Sequence, residues 1–396
     1  MKNLLQEVKD IEKWLIEVRR DFHQFPEVGE QEFRTMDKIV HYLEEMNIPY
    51  KKNIFKTGVV ANIPGTDFDT TIAFRADMDA LPILDLKKTD YASKNKGVCH
   101  ACGHDTHMTM NLGIARYFFE KKIVPPCNIR LIFQPAEETV GGAKPMIEAG
   151  VLEGVDYIYG IHISEEIPAG QIMIKYGAMN ASSDTLILKV KGKSCHGAYP
   201  GNGVDAIVIA SNLIVALQTI VSRNIDSRES AVITIGKISG GTAGNIVADS
   251  VELRGTLRTL NPETRALALD KIKTLVETLP LAFGGTGEFL REEGYTSLIN
   301  HDAALDIVKS NGIALLGKEN VVESKVSKMG VEDFAYFLEK VPGAMFNVGS
   351  RNSLKNIVAS AHNGAFDVDE SSLSIGVAME ILNIYSTYNK IKKHRS

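Results

Sequence analysis

Val98-Cys-His-Ala-Cys-Gly-His-Asp-Thr-His107 stands between an apolar run at 70–75 and a helical pattern at 106–122. Six of its ten residues, Cys99, His100, Cys102, His104, Asp105 and His107, can bind a metal or move a proton. Thiolate, imidazole and carboxylate gathered this closely make a transition-metal nest. A polar loop between a buried strand and a helix is also the layout of an α/β sheet, in which ligands gather beyond the strand ends.

Working outward, the pattern repeats. Leu4, Leu5, Val8, Ile11, Leu15, Val18 and Phe22 recur at helical spacing and predict one amphipathic helix ending near Pro26. A second helix is expected at 32–46, strands at 59–63, 70–75, 128–133 and 157–163, and a short helix at 142–149. The character changes near Ser183. A strand at 185–190, a helix at 204–222, strands at 230–238 and 247–260, a helix at 262–279 and a last strand at 287–291 predict a ferredoxin-like α+β unit. The α/β pattern then resumes with a helix at 302–316, a strand at 344–348 and a long helix at 371–391. The expected organisation is a catalytic α/β domain in two pieces, 1–182 and 293–396, with a mixed sheet and helices on both faces. The inserted unit is 183–292.

A chain of 396 residues, 44% hydrophobic and 23% charged, is ordinary globular material for about two domains. A net charge of −5 gives no electrostatic case for nucleic acid. The basic end at Lys390, Lys392, Lys393, His394 and Arg395 reads as a solvated helix terminus. No secretory pattern or bilayer-length apolar run is read, and four cysteines make no disulfide framework. The expectation is a cytoplasmic protein with no membrane partner.

Each chemical signal has an ordinary alternative. Cys102-Gly-His104 sets a thiolate and an imidazole either side of a permissive glycine, but a buried inert cysteine beside a surface histidine has the same spelling. Cys99-x-x-Cys102 also fits a redox pair ahead of a helix. Glu137-Glu138 is either a solvated helix start or a ligand and a general base side by side. His162 closes an apolar strand where a satisfied core histidine is common, and His362 sits in what reads as an ordinary turn. Asp77 and Asp79 orient ligands, cap a helix or pair with cations.

Together these pieces resemble the amidohydrolase branch of the peptidase M20 family: aminoacylase-like, hippurate hydrolase-like and auxin-conjugate hydrolase-like enzymes. The motifs are His23-Gln-Phe-Pro-Glu27, Arg75-Ala-Asp-Met-Asp-Ala-Leu-Pro82, His100-Ala-Cys-Gly-His-Asp105, Phe133-Gln-Pro-Ala-Glu-Glu138 and Gly330-Val-Glu-Asp-Phe-Ala335. His196-Gly-Ala and Gly240-Gly-Thr-Ala-Gly-Asn245 match inside the inserted unit.

The resemblance implies two divalent metal ions per subunit on Cys102, His104, Glu138, His162 and His362, with Glu137 as general base. It implies that His196 polarises the scissile carbonyl, reaching a partner subunit, and that Asn245 and Arg258 hold the substrate's α-carboxylate. It also implies a homodimer formed through the inserted lid. Zinc or manganese is the expected metal, and cobalt or nickel also suits the donors. The expected substrate is a small-molecule N-acyl-L-amino acid, cleaved at its amide. N-acetyl-diaminopimelate and small peptides are alternatives within that chemistry. A thiol-disulfide oxidoreductase and a non-catalytic metal- or amino acid-binding protein are alternatives outside it. Relatives carry an apolar residue where Cys99 stands, glycines where Thr139-Val140 follow the glutamates, and a histidine and a proline around His362.

Overall fold

Two separate hydrophobic cores organise the chain in the computed structural model, which describes residues 2–395. One compact unit holds 1–177, 299–326 and 333–396, and the other holds 178–298 and 327–332.

The first unit is built on an eight-stranded sheet. Its order is Tyr50–Ile54, Gly58–Ile63, Cys127–Gln134, Asp67–Asp77, Tyr157–Pro168, Gly343–Arg351, Ile172–Ile174 and Val321–Glu323. The four central strands, Cys127–Gln134, Asp67–Asp77, Tyr157–Pro168 and Gly343–Arg351, run parallel. They read as near-continuous apolar runs because both faces are covered. On one face the helices Glu12–Gln24, His104–Lys121 and Ser371–Arg395 bring Leu15, Val18, Phe22, Leu112, Val377 and Ile381 into one core. In register, Asp77 lies opposite Gln134, so the carboxyl ends of two parallel strands deliver Asp77, Asp79, Glu137 and Glu138 to one edge.

The second unit follows the order strand, helix, strand, strand, helix, strand. Its sheet runs Ala231–Gly240, Ser250–Thr259, Ser182–Lys191, Thr286–Glu293, all antiparallel. That arrangement is ferredoxin-like. Ala206–Thr219 and Pro262–Thr278 cover it with Ile209, Leu213, Leu217, Ala268, Ile272 and Val276. Asp205 and Asn261 cap the two helices by accepting backbone N–H bonds.

Several expectations need correction. The single N-terminal helix is two, Lys2–Lys9 and Glu12–Gln24, because the chain turns at Asp10–Ile11 with Ile11 N–H donating to Val8 O. The strand expected to stop at Ile163 continues to Pro168, since Ser164 and Pro168 still pair with Gly349 and Arg351. The strand at 247–260 is two pieces, Ile246–Val247 and Ser250–Thr259. The edge strands Tyr50–Ile54 and Val321–Glu323, and Ile172–Ile174 next to the latter, went unread, being short or polar. One apolar helix does reach bilayer length: Ala206–Asn224 has 19 residues, yet one stripe of it packs on the second unit's sheet. At the C-terminus, Lys392 and Arg395 are not simply solvated: they pair with Asp67 and Asp156, each at 2.7 Å.

Candidate metal centre

Gly103 takes φ +86°, a conformation that disfavours a side chain, and a Cβ there would stand 2.3 Å from Ile163 Cγ2. Only glycine fits this bend, which starts the helix His104–Lys121 between Cys102 and His104. Cys102 Sγ then lies 3.4 Å from His162 Nε2, while His162 Nδ1 donates to the carbonyl of Ile163 at 2.7 Å. That bond fixes the tautomer with Nε2 as the donor-free nitrogen, the form a metal requires.

Two groups of donors converge, each with its ligand atoms within 4.8 Å of one another: Cys102, His104 and His162, and Cys102, Glu138 and His362. Glu138 Oε1 is 3.3 Å from His362 Nε2 and 3.9 Å from His104 Nε2. His362 itself sits at φ +60°, and its N–H donates to Ala101 O, tying its loop to the cysteine segment. All five expected ligands are therefore brought together.

The donor set fits a cation. His104 is buried, yet both its ring nitrogens and Glu138 Oε1 have no hydrogen-bond partner among the described residues. Buried polar atoms left this way are costly, and a metal ion satisfies them. Burial opposes charge on His104, but Asp77, Asp79 and Cys102 override it and raise the imidazole well above its ordinary value. Burial pushes the Cys102 thiol up. At Glu138 burial is outweighed by His362 and His104, which lower the carboxyl. A buried thiol, imidazoles and a carboxylate converging on one point are the donors a divalent cation takes, displacing the protons on sulfur and nitrogen as it binds.

The neighbouring histidines and acids serve the frame. His107 Nδ1 donates to Asp77 Oδ1 at 2.6 Å and its Nε2 accepts from Ile163 N–H at 2.8 Å, so both nitrogens are taken. Asp77 also receives Arg75, whose other nitrogens reach Gln134 and Asp333. Asp105 receives Arg19 and His23. Asp79 acts nearer the glutamate pair, where its two oxygens accept the Glu137 and Glu138 N–H groups at 3.1 and 3.0 Å. The motif around Arg75 signalled these acids without separating orientation from capping or ion pairing. Cys99 is fully buried, and burial pushes its thiol up to about 11. Reactive redox cysteines are instead exposed and shifted down, so this pair lacks the character of a redox couple.

In the second unit, Cys195–His196 pairs with Ile246–Val247, and Gly197 N–H donates to Asn245 O at 2.8 Å, so His196 and Asn245 are brought together. Arg258 is not with them. It lies on Ser250–Thr259 opposite Ser183, whereas His196 and Asn245 sit beyond the Ser250 and Lys191 end of that sheet. Eight residues of strand put Arg258 roughly 25 Å from Ser250.

Residues 73–383 match the model of peptidase family M20/M25/M40. The chain is 37% identical over 394 residues to Thermostable carboxypeptidase 1 of Saccharolobus solfataricus, covering 98% of this chain and 99% of that one. It is 40% identical over 363 residues to N-acetyl-L-cysteine deacetylase of Bacillus subtilis, covering 92% and 85%. Among solved structures, a Bacillus subtilis dinuclear metal binding peptidase of the M20 family superposes with a TM-score of 0.85 at 33% identity, covering 96% and 99%. With a buried thiol, imidazole and carboxylate cluster on an α/β sheet and likeness along nearly its whole length, the chain belongs to the amidohydrolase branch of the M20 peptidase family, a family of metal-dependent hydrolases.

Proposed function

We propose that the chain hydrolyses the amide bond of N-acyl-L-amino acids, releasing the amino acid and a carboxylic acid. The observation that carries this is the pair of three-donor groups sharing Cys102, with Glu137 beside them outside both. In this reading Cys102, His104, Glu138, His162 and His362 hold two divalent ions per subunit. Zinc suits the thiolate best, while manganese, cobalt and nickel suit the remaining donors. Bound there, the cations supply an acidified water and polarise the acyl carbonyl.

Glu137, buried and held by its backbone to Asp79, accepts the proton of the attacking water and returns it to the departing nitrogen. His196 donates a hydrogen bond to the oxygen that gains charge. Arg258 and Asn245 hold the α-carboxylate, the guanidinium through a charge-assisted pair. Because Arg258 and Asn245 occupy opposite ends of one protomer's second unit, their shared grip on one carboxylate calls for Asn245 and His196 from a second subunit. A homodimer through this lid supplies them. The exposed apolar side chains Ile207, Val208 and Val215 on the lid helix offer such a partner an apolar face.

A second reading, hydrolysis of small peptides at a free C-terminus, is favoured by the relative named a carboxypeptidase. Such a peptide presents the same amide and carboxylate. One experiment tests both: a panel of N-acyl amino acids and dipeptides with metal content measured in parallel. Glu137→Gln is expected to keep its metal and lose most turnover, and Cys102→Ser to lose metal. Near-parental turnover in Glu137→Gln refutes the general-base role.

A further inference from the structure

The loop that carries Glu137 and Glu138 is pinned by two carboxylates from other parts of the chain. The successive amides of Ala136, Glu137 and Glu138 donate to Glu32 Oε1 at 2.9 Å, Asp79 Oδ1 at 3.1 Å and Asp79 Oδ2 at 3.0 Å. Asp79 also faces the metal-ligating cluster. Glu32 comes from the turn before the helix Phe33–Glu45, is fully buried, and its second oxygen accepts the Thr57 hydroxyl at 2.7 Å.

The peptide that Glu32 holds needs holding. Ala136 sits at φ +60°, a left-handed conformation that a residue with a Cβ avoids unless its surroundings impose it. Gly141 N–H closes the same loop onto Ala136 O at 2.9 Å. The segment bearing Glu32 is packed against this loop. A Cβ on Gly29 would stand 2.4 Å from Thr139 Oγ1 and 3.2 Å from Ala136 Cα. Burial pushes the Glu32 carboxyl up to about 7, against the opposing pull of its Thr57 and Ala136 bonds. An acid kept in such a place weakens the fold, which points to work at the site it touches.

We propose that Glu32 is a positioning residue: by accepting the Ala136 amide it fixes the left-handed peptide that aims Glu137, and it governs turnover rather than metal or substrate affinity. This rests on the reading of Glu137 as the general base.

Two variants test it. Glu32→Asp retracts the carboxylate by one methylene, so that it no longer spans Thr57 and Ala136. Glu32→Gln keeps the length, its amide oxygen accepting from Ala136 and its NH2 donating to the Thr57 hydroxyl. For Glu32→Asp, kcat is expected to fall roughly 10- to 100-fold, with KM and metal per chain close to the parent. Glu32→Gln should recover most of that loss. Hydrogen exchange at the Ala136 amide should accelerate in the Asp variant and stay slow in the Gln variant. Full kcat in Glu32→Asp, an equal loss in both variants, or a loss confined to KM or metal content overturns the proposal. If Glu32→Asp does not fold, Thr57→Val removes the second anchor of the same carboxylate. Lower kcat with faster Ala136 exchange then supports the proposal, and unchanged values overturn it. The two readings fail differently. If the general-base reading is wrong, Glu137→Gln stays active whatever Ala136 exchange shows. If only the Glu32 proposal is wrong, Glu137→Gln is inactive and Ala136 exchange ignores residue 32.

Discussion

Replacing Asp79 with Asn should disable the site while leaving the ligands in place. Its two oxygens accept the N–H groups of Glu137 and Glu138, and its Oδ1 lies 3.4 Å from His104 Nδ1. Asparagine offers one acceptor and one donor, so one amide keeps its bond while the other meets an N–H group. A charge-assisted bond lost in this way is worth about 1.5–3 kcal/mol, or roughly 10- to 150-fold in the population of the aimed loop at 1.4 kcal/mol per decade. The expected result is a fall in kcat of that order for an N-acyl amino acid, with all five proposed metal ligands still present. The assay pairs steady-state kinetics with metal content per chain. An Asp79→Asn enzyme that retains its metal and its full kcat would show that the two amides need no carboxylate, and the account of how Glu137 is aimed would be wrong.

Two other expectations bear on assembly and on stability. Mixing and reassociating Glu137→Gln with His196→Ala should restore activity that neither has alone, approaching about a quarter of the parent rate for random dimers with one intact site in two; no recovery after proven exchange would place His196 in its own subunit's site. Glu380 is buried in the helix Ser371–Arg395 with no hydrogen-bond partner for Oε2 among the described residues, and burial alone pushes its carboxyl well above the ordinary 4.5. A folded-state pKa raised in this direction means the fold favours the protonated acid, so stability falls as pH climbs above about 4.5 towards the folded value. Glu380→Gln should therefore gain in denaturant midpoint over the parent as pH rises above about 5, and a difference that does not grow with pH would contradict the assignment.

The core elements were legible because burial leaves a local trace. Apolar runs announced the four central parallel strands, and helical spacing announced Asp302–Leu316 to the residue. The strand, helix, strand, strand, helix, strand order of the second unit was legible for the same reason. Polar or very short strands left no such trace, and neither did the continuation of Tyr157–Pro168 past Ile163, where pairing with Gly343–Arg351 holds at Ser164, shifts register and is taken up again at Pro168.

By itself the sequence determined the mixed α/β class, the inserted α+β unit and the motifs that reveal the family, since periodicity and ordered motifs are properties of short stretches. Only the tertiary structure decided which members of the cluster face a common point. It separated His104, whose ring nitrogens make no hydrogen bond among the described residues, from His107, spent on Asp77 and Ile163, three residues along the same helix. It brought His362 to Glu138 from more than two hundred residues away, set Ala136 in a left-handed peptide, and gave its amide to Glu32. Those choices depend on sheet order and register, which bring together residues far apart in the chain, and no local pattern of side chains encodes that proximity.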